Sequence, residues 1–226
     1  PGSPPSMTDA AVPAATVIIL RDEPQLEVLM IKRHEGSAFA GGALVFPGGR
    51  VDPNDGNSRW RDHAEALDPA HGAYQVAAIR EAFEESGILI ARGPDGRMLS
   101  AEAACGYAPW RQRVEHDDTH FLEFVRKERL SLACDRLVLF AHWVPPVGLH
   151  RRFDTLFFAT RLPESQAPLA DGMEATEALW TPPAEAMERR ARGECMIIFP
   201  TARNLDLLAA SANSEHVFSL ARARTI

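Results

Sequence analysis

Residues 78–88 read Ala78-Ile79-Arg80-Glu81-Ala82-Phe83-Glu84-Glu85-Ser86-Gly87-Ile88. From Tyr74 to Ser86 no Gly or Pro interrupts the chain, which predicts a helix, and Gly87 stands where a C-terminal cap is expected. At about 100° per residue, Glu81, Glu84 and Glu85 share one face. Val76, Ile79 and Phe83 take the opposite face and suit burial against a sheet. Arg80 lies beside the acidic face, one turn before Glu84. Like charges at this spacing repel by a few tenths of a kcal/mol per pair. They also crowd the helix end where the dipole disfavours anions. A solvated acidic face is one outcome. The other is a bound hard cation, Mg²⁺ or Mn²⁺, which takes carboxylate oxygens.

Upstream, a short strand over Ala43–Phe46 is stopped by Pro47-Gly48-Gly49, for which an ordinary turn is one reading. Two adjacent glycines let the backbone pass close to another element or to a ligand. Strands are predicted over Thr16–Leu20 and Leu26–Arg33, joined by a turn at Arg21–Pro24 as a hairpin. His34–Gly42 reads as a loop. The polar stretch from Asn54 to Gly72 has room for a short helix within Ser58–Leu67. Downstream come strands at Ile88–Ala91, Leu137–Val144, Phe153–Arg161 and Ala175–Trp180. Leu99–Leu132 reads as mostly helical, with Pro109 in a first turn, and Pro183–Arg192 and Thr201–Ser211 read as helices. Strands and helices do not alternate regularly, which predicts a mixed α/β sandwich rather than a doubly wound sheet.

The 226 residues are 46% apolar and 24% charged, with a net charge of −7, which excludes a disordered or collagen-like chain. The acidic balance argues against binding nucleic acid. Cys105, Cys134 and Cys195 are too scattered for a disulfide framework and read as free thiols in a reducing compartment, the cytoplasm. No run reaches the roughly 18 apolar residues of a membrane span. Pro1–Ser6, ahead of Met7, reads as a cloning remnant, leaving a single domain over 7–226. The Ala/Val-rich start is expected to be a strand rather than a signal peptide. His116 and His120 have a zinc-compatible i, i+4 spacing but no third ligand nearby, so a solvated helix face is expected. His142, beside Trp143, reads as a satisfied buried histidine. Arg151 and Arg152 read as a surface turn, with phosphate contact as the alternative. Neither G-x-S-x-G nor a G-x-x-x-x-G-K-[ST] loop is present.

Together the glycines and the acidic helix resemble the Nudix hydrolase family, whose pattern is G-x5-E-x7-R-E-U-x-E-E-x-G-U, with U a bulky apolar residue. Gly49 matches the first glycine; Arg80, Glu81, Glu84, Glu85, Gly87 and Ile88 match the second half. The spacing from Gly49 to Arg80 is 31 positions against the 14 of the pattern, an insertion of 17 residues. Asp52 and Asp55 are both candidates for the early acid. The expanded box is similar to the branch of the animal peroxisomal coenzyme A diphosphatase. Phe46–Gly49, Ala77–Leu89, Arg152–Phe158 and Glu174-x-x-Glu177-x-x-Trp180 carry that likeness. Where other coenzyme A branches place Thr and Arg upstream, this chain has Ile31 and Ala38; Arg33 is the arginine at hand.

The resemblance implies a Nudix-type α-β-α sandwich with a mixed sheet, an insertion at about 55–72 and an added helical segment at about 99–132. It implies metal-dependent hydrolysis of a nucleoside diphosphate linked to another moiety, with coenzyme A or its acyl derivative first. Dinucleotides, ADP-ribose and nucleotide sugars are the other substrates, and a non-catalytic metabolite-binding module is the remaining alternative. Gly49, Glu81, Glu84 and Glu85 would hold Mg²⁺ or Mn²⁺. Glu81, Arg80, Glu84, Glu174 and Glu177 would serve catalysis, and Arg33, Phe46, Gly48 and Arg152 would meet substrate. The expected partner is a small nucleoside diphosphate, not a membrane; a second copy of the chain is admissible.

Overall fold

The computed structural model describes residues 11–37, 40–148, 152–163 and 166–226; Pro1–Ser6, Ala38 and Arg151 lie outside them. The chain forms strands β1 (Val12–Asp22), β2 (Leu26–Arg33), β3 (Leu44–Val45) and β4 (Gly48–Arg50) before helix α1 (Gly72–Ser86). Strand β5 (Ala91–Arg92) and helices α2 (Ala101–Gly106), α3 (Ala108–His116) and α4 (Thr119–Lys127) follow. Then come β6 (Ser131–Leu132), β7 (Val138–Trp143), β8 (Phe153–Arg161), β9 (Ala175–Thr181), α5 (Pro183–Ala191), α6 (Phe199–Ala209) and α7 (Ser214–Ala223).

Seven strands make one mixed sheet in the order β3-β2-β1-β8-β7, with β4 added to β1 and β9 to β2. Strands β1 and β8 run parallel from Val12↔Phe153 to Leu20↔Arg161; the other pairings are antiparallel. The sheet centre is covered on both faces, which is why β1 reads as a continuous apolar run. Ala15, Val17 and Ile19 pack under α1 with Val76, Ile79 and Phe83. Ile18 and Leu20 point the other way, into a core shared with Ala186, Leu205, Val217 and Phe218 of α5, α6 and α7. This is the expected α-β-α sandwich.

Helices α2–α4 pack beside α1. Phe83 stacks on Phe124 at 5.3 Å, and Trp60 of the 55–72 insertion meets Phe121 of α4 at 5.5 Å. The insertion and the helical segment therefore share one aromatic cluster with the acidic helix.

Several local expectations change. Of the two readings of the glycines, close approach holds and the ordinary turn does not: Gly48 and Gly49 begin β4, paired to Thr16 and Ala15. The glycines are needed for close approach, since a Cβ on Gly48 would lie 2.5 Å from the Ala15 oxygen and 2.7 Å from the Thr16 Cα. Both obstacles are backbone. Gly48→Ala is expected to cost about 1–3 kcal/mol through overpacking, read as a lower urea midpoint.

Ile88–Ile90 is buried but not a strand. The Gln166 side chain serves it instead, accepting from Leu89 N at 2.9 Å and donating to the Leu89 oxygen at 3.1 Å. Leu99–Leu132 breaks into three helices and ends in β6. The insertion contains two 3₁₀ turns, Pro53–Gly56 and Ser58–Asp62. Helix α7 goes beyond the elements expected from periodicity; its start is capped by Asn213, which accepts from His216 N.

Candidate active site

Helix α1 ends as expected, with Gly87 left-handed at φ 72°. Its acidic side is not a solvated face. Glu81 and Glu85 are 8% and 2% exposed, and Arg80 is 2% exposed. Gly48 and Gly49 of β4 lie against Glu85 and Glu81, and Asp55 of the first insertion turn lies against Arg80.

Arg80 is the hub. Its Nη1 donates to Glu81 Oε1 at 3.0 Å and to Glu84 Oε1 at 2.9 Å. Its Nε and Nη2 grip Asp55 Oδ1 and Oδ2, both at 3.0 Å, and Nη2 also donates to the Arg50 oxygen at 2.9 Å. A guanidinium suits this work because its planar fork serves several acceptors at once. Of the two early acids, Asp55 takes the two-point contact inside the fold. Asp52 stands at 3.4 Å from Arg80 Nη2 and is half-buried.

Glu85 points to the glycine strand. Its Oε2 accepts from Gly48 N at 2.8 Å, and its Oε1 is 3.7 Å from Arg33 Nη1. Arg33 Nε is buried without a hydrogen-bond partner among the described residues. A Cβ on Gly49 would lie 2.4 Å from Glu81 Oε1, so only glycine lets that carboxylate rest against β4. The two halves of the motif thus meet across 37 positions of sequence, between Gly48 and Glu85.

Four carboxylates, Asp55, Glu81, Glu84 and Glu85, face two guanidiniums, Arg80 and Arg33. Burial pushes Glu81 up to about 8 and Glu84 up to about 7, with Arg80 opposing and neighbouring acids adding to the rise. Burial and then Glu81 hold Glu85 well above the usual range, against the Gly48 N–H and Arg33. Burial also raises Asp55. Arg80 is disfavoured by burial, but Glu81, Asp55 and Glu84 overcome this and keep it charged.

The donor chemistry fits a hard divalent cation: carboxylate oxygens in excess of the positive charge that faces them. Glu81 Oε2 and Glu84 Oε2 accept no hydrogen bond among the described residues. In this geometry no three His, Cys, Asp or Glu side chains among the described residues gather as a metal-binding group. Arg80 draws Oε1 of Glu81 and of Glu84 and both oxygens of Asp55, and the Gly48 N–H draws Oε2 of Glu85.

The raised carboxylates have a stability consequence. The folded state holds protons that the unfolded chain releases, so stability falls as pH rises through the window. That window runs from the ordinary value of 4.5 to about 8 for Glu81. With chelator present, the melting temperature is expected to be lower at the alkaline end of this window than at the acid end. A melting temperature that rises across it would contradict the burial of ionised carboxylates.

Other residues stand as follows. Glu174 is exposed, yet its charge adds to the upward shifts of Glu84 and Glu85. The turn before it is built on Asp171, which accepts from the N–H groups of Met173, Glu174 and Ala175. Glu177 pairs with Lys32 in the sheet and alternates with Ala178 and Trp180, which pack toward α1. It therefore lies on the face away from the acidic helix. Phe46 is 2% exposed in the core beneath α5–α7, so its ring cannot meet a ligand. The Gly48 N–H is taken by Glu85. Arg152 Nε donates to the Pro145 oxygen at 3.0 Å.

His142 is not buried; it is exposed, with Nε2 at 2.5 Å from Asp154 Oδ1. His116 is exposed, and His120 Nδ1 lies 3.1 Å from the Arg113 oxygen. All three cysteines are free. Among the described residues no helix is long and apolar enough to cross a membrane.

Arg111 is a contact that sequence reading missed. Its Nε donates to the Glu84 carbonyl at 2.7 Å, and its Nη2 is 4.0 Å from Asp171 Oδ2. A cation is favourable at this helix end. Nothing in the spacing ties residue 111 to a helix 27 positions earlier. A cavity of about 430 Å³ opens beside these groups, lined by Asp52, Asn54, Arg80, Glu84, Glu115 and Asp117 among others.

The NUDT19 Nudix domain family matches residues 62–207. The human protein named acyl-coenzyme A diphosphatase NUDT19 is 30% identical over 87% of this chain and 64% of its own length. The Gallus gallus protein of the same name is 32% identical, over 87% of this chain and 65% of its own. The chain thus spans somewhat under two thirds of these relatives. The crystal structure of a NUDIX hydrolase from Alicyclobacillus acidocaldarius has a TM-score of 0.82 at 29% identity, covering 95% of this chain and 97% of that one.

Proposed function

The chain belongs to the NUDT19 Nudix domain family, and from that premise we propose that it hydrolyses a diphosphate bond in a nucleoside diphosphate linked to another moiety, with coenzyme A or an acyl-coenzyme A as first substrate. The observation that carries this is the double lock of the acidic helix. Arg80 holds Asp55, Glu81 and Glu84, while Gly48 N–H holds Glu85. A solvated surface helix has no need of buried, mutually repelling acids held in register. The names of the human and avian relatives support the substrate class.

Glu81, Glu84 and Glu85, with Gly49 beside them, would hold Mg²⁺ or Mn²⁺. Such a cation neutralises diphosphate charge, orients the substrate and lowers the pKa of an attacking water. Glu81 serves as ligand or as the base that takes the water's proton. Arg80 positions the carboxylates, and Asp55 and the Arg50 carbonyl position Arg80. Gly48 positions Glu85 rather than touching substrate. Arg33, whose Nε is buried without a hydrogen-bond partner among the described residues, is the cation for a substrate phosphate. Glu174 stands nearby as a further acid. One domain over 7–226 performs the reaction, and the free thiols suit a reducing compartment such as the cytoplasm.

The test is incubation with Mg²⁺ or Mn²⁺ and a panel of coenzyme A, NADH, ADP-ribose and nucleotide sugars. Release of phosphopantetheine and 3′,5′-ADP is expected. Turnover of another member alone would replace the substrate, and turnover of none would leave a metabolite-binding module.

A further inference from the structure

A second recess, of about 590 Å³, lies between two segments outside the R-E-x-x-E-E-x-G motif. One wall is the insertion, with Asn54, Arg59 and His63; the other is α4. Glu123, Arg126 and Lys127 of α4 are spaced i, i+3 and i+4 and share the face that lines it.

Its charge is opposite to that of the protein. The net charge is −7, yet Arg59, Arg126 and Lys127 line this one recess. Neither the Arg59 nor the Arg126 side chain makes an ion pair or hydrogen bond among the described residues. Lys127 Nζ lies 5.2 Å from the Trp110 ring centre. The acid in the lining, Glu123, is 3.6 Å from Arg113, outside the recess. Three cations gathered with one acid, itself drawn toward Arg113, leave the recess with an excess of positive charge, and a bound anion offsets their repulsion.

The recess also adjoins the candidate active site. Asn54 lines both cavities, and its Nδ2 donates to Asp118 Oδ2 at 3.0 Å, forming the partition. The next residue, Asp55, is gripped by Arg80. Asn54, which lines the recess, is therefore the chain neighbour of the residue that Arg80 clamps.

We infer that this recess binds a phosphomonoester carried by the substrate apart from the diphosphate that is cut. A dianionic group with three outer oxygens matches guanidinium forks and an ammonium. The inference rests on the substrate reading above, because coenzyme A carries such a phosphate on its ribose and dephospho-coenzyme A lacks it. The insertion and the helical segment would then be specificity elements.

The experiment compares kcat/KM for coenzyme A and dephospho-coenzyme A in the wild type, Arg126→Glu and Arg59→Glu. Both side chains are exposed and make no ion pair or side-chain hydrogen bond among the described residues, so the fold is expected to tolerate the changes. The wild type is expected to prefer coenzyme A by on the order of tenfold. Each variant is expected to erase the preference by losing activity on coenzyme A, with dephospho-coenzyme A within about twofold. Equal wild-type turnover of the two compounds, or equal losses on both in the variants, overturns the inference. If the wild type cleaves neither, the substrate reading has failed separately. The recess is then judged by calorimetry with 3′,5′-ADP and with inorganic phosphate. Binding that Arg126→Glu weakens at least about tenfold supports a phosphate site; no binding, or binding the variant leaves unchanged, overturns it.

Discussion

Glu85→Gln is expected to lower kcat on the proposed diphosphate substrate by on the order of 10³-fold, while the metal-free protein melts no lower than the wild type. The two halves of this result have separate causes. Glu85 Oε2 accepts the Gly48 N–H at 2.8 Å, and the glutamine oxygen keeps that bond. The strand-to-helix lock therefore survives. What disappears is a charge that burial and Glu81 already disfavour, and that relief offsets the loss of its contact with Arg33 at 3.7 Å. Hard cations need that charge as a ligand. The thermal shift produced by Mg²⁺ or Mn²⁺ should shrink in parallel with kcat. Steady-state kinetics beside thermal melts with and without metal check this, and near-normal turnover would remove Glu85 from the proposed ligand set.

Arg80→Ala is expected to cost about 3–5 kcal/mol of stability, the largest effect among the changes proposed. It strands Asp55, Glu81 and Glu84 with no cation between them, and Asp55 is itself only 3% exposed. The Arg50 carbonyl also loses its donor. Arg80→Lys restores the charge but not the fork, since one ammonium cannot span Asp55 on one side and Glu81 with Glu84 on the other. It should fall between the wild type and the alanine variant in urea midpoint. Adding Asp55→Asn to Arg80→Ala should cost less than the sum of the single changes, because the two side chains share one interaction. An Arg80→Ala midpoint equal to that of the wild type would show that the carboxylates need no buried counter-charge.

These effects separate what was readable locally from what was not. Glycine, proline and apolar spacing depend on near neighbours in the chain, so strands at Leu26–Arg33 and Phe153–Arg161 match their expected bounds, and the helix ends at Ser86 with Gly87 as its cap, as expected, though it starts at Gly72 rather than Tyr74. Ile88–Ile90 shows where that logic stops. An apolar run looks the same whether a neighbouring strand or the Gln166 side chain, 77 positions away, satisfies its backbone. Gly48 and Gly49 read as a turn or as a close approach, because glycine marks both. Only the position of β1 against them makes β4 a strand. Phe46 carries the motif's aromatic position, yet the α5–α7 layer buries it.

By itself, the order of residues determined that three carboxylates and an arginine share one stretch of helix, and the family to which that stretch belongs. Helical geometry repeats every few residues, so such facts are local. The tertiary structure decided which of those acids are buried, and that Asp55 rather than Asp52 takes the two-point contact with Arg80. It also placed Arg111 against the end of the helix and turned Glu177 away from it. Those outcomes depend on which surfaces meet when the sheet, the insertion and the helical segment pack together. Burial and opposing charge are properties of that meeting, and no spacing along the chain encodes them.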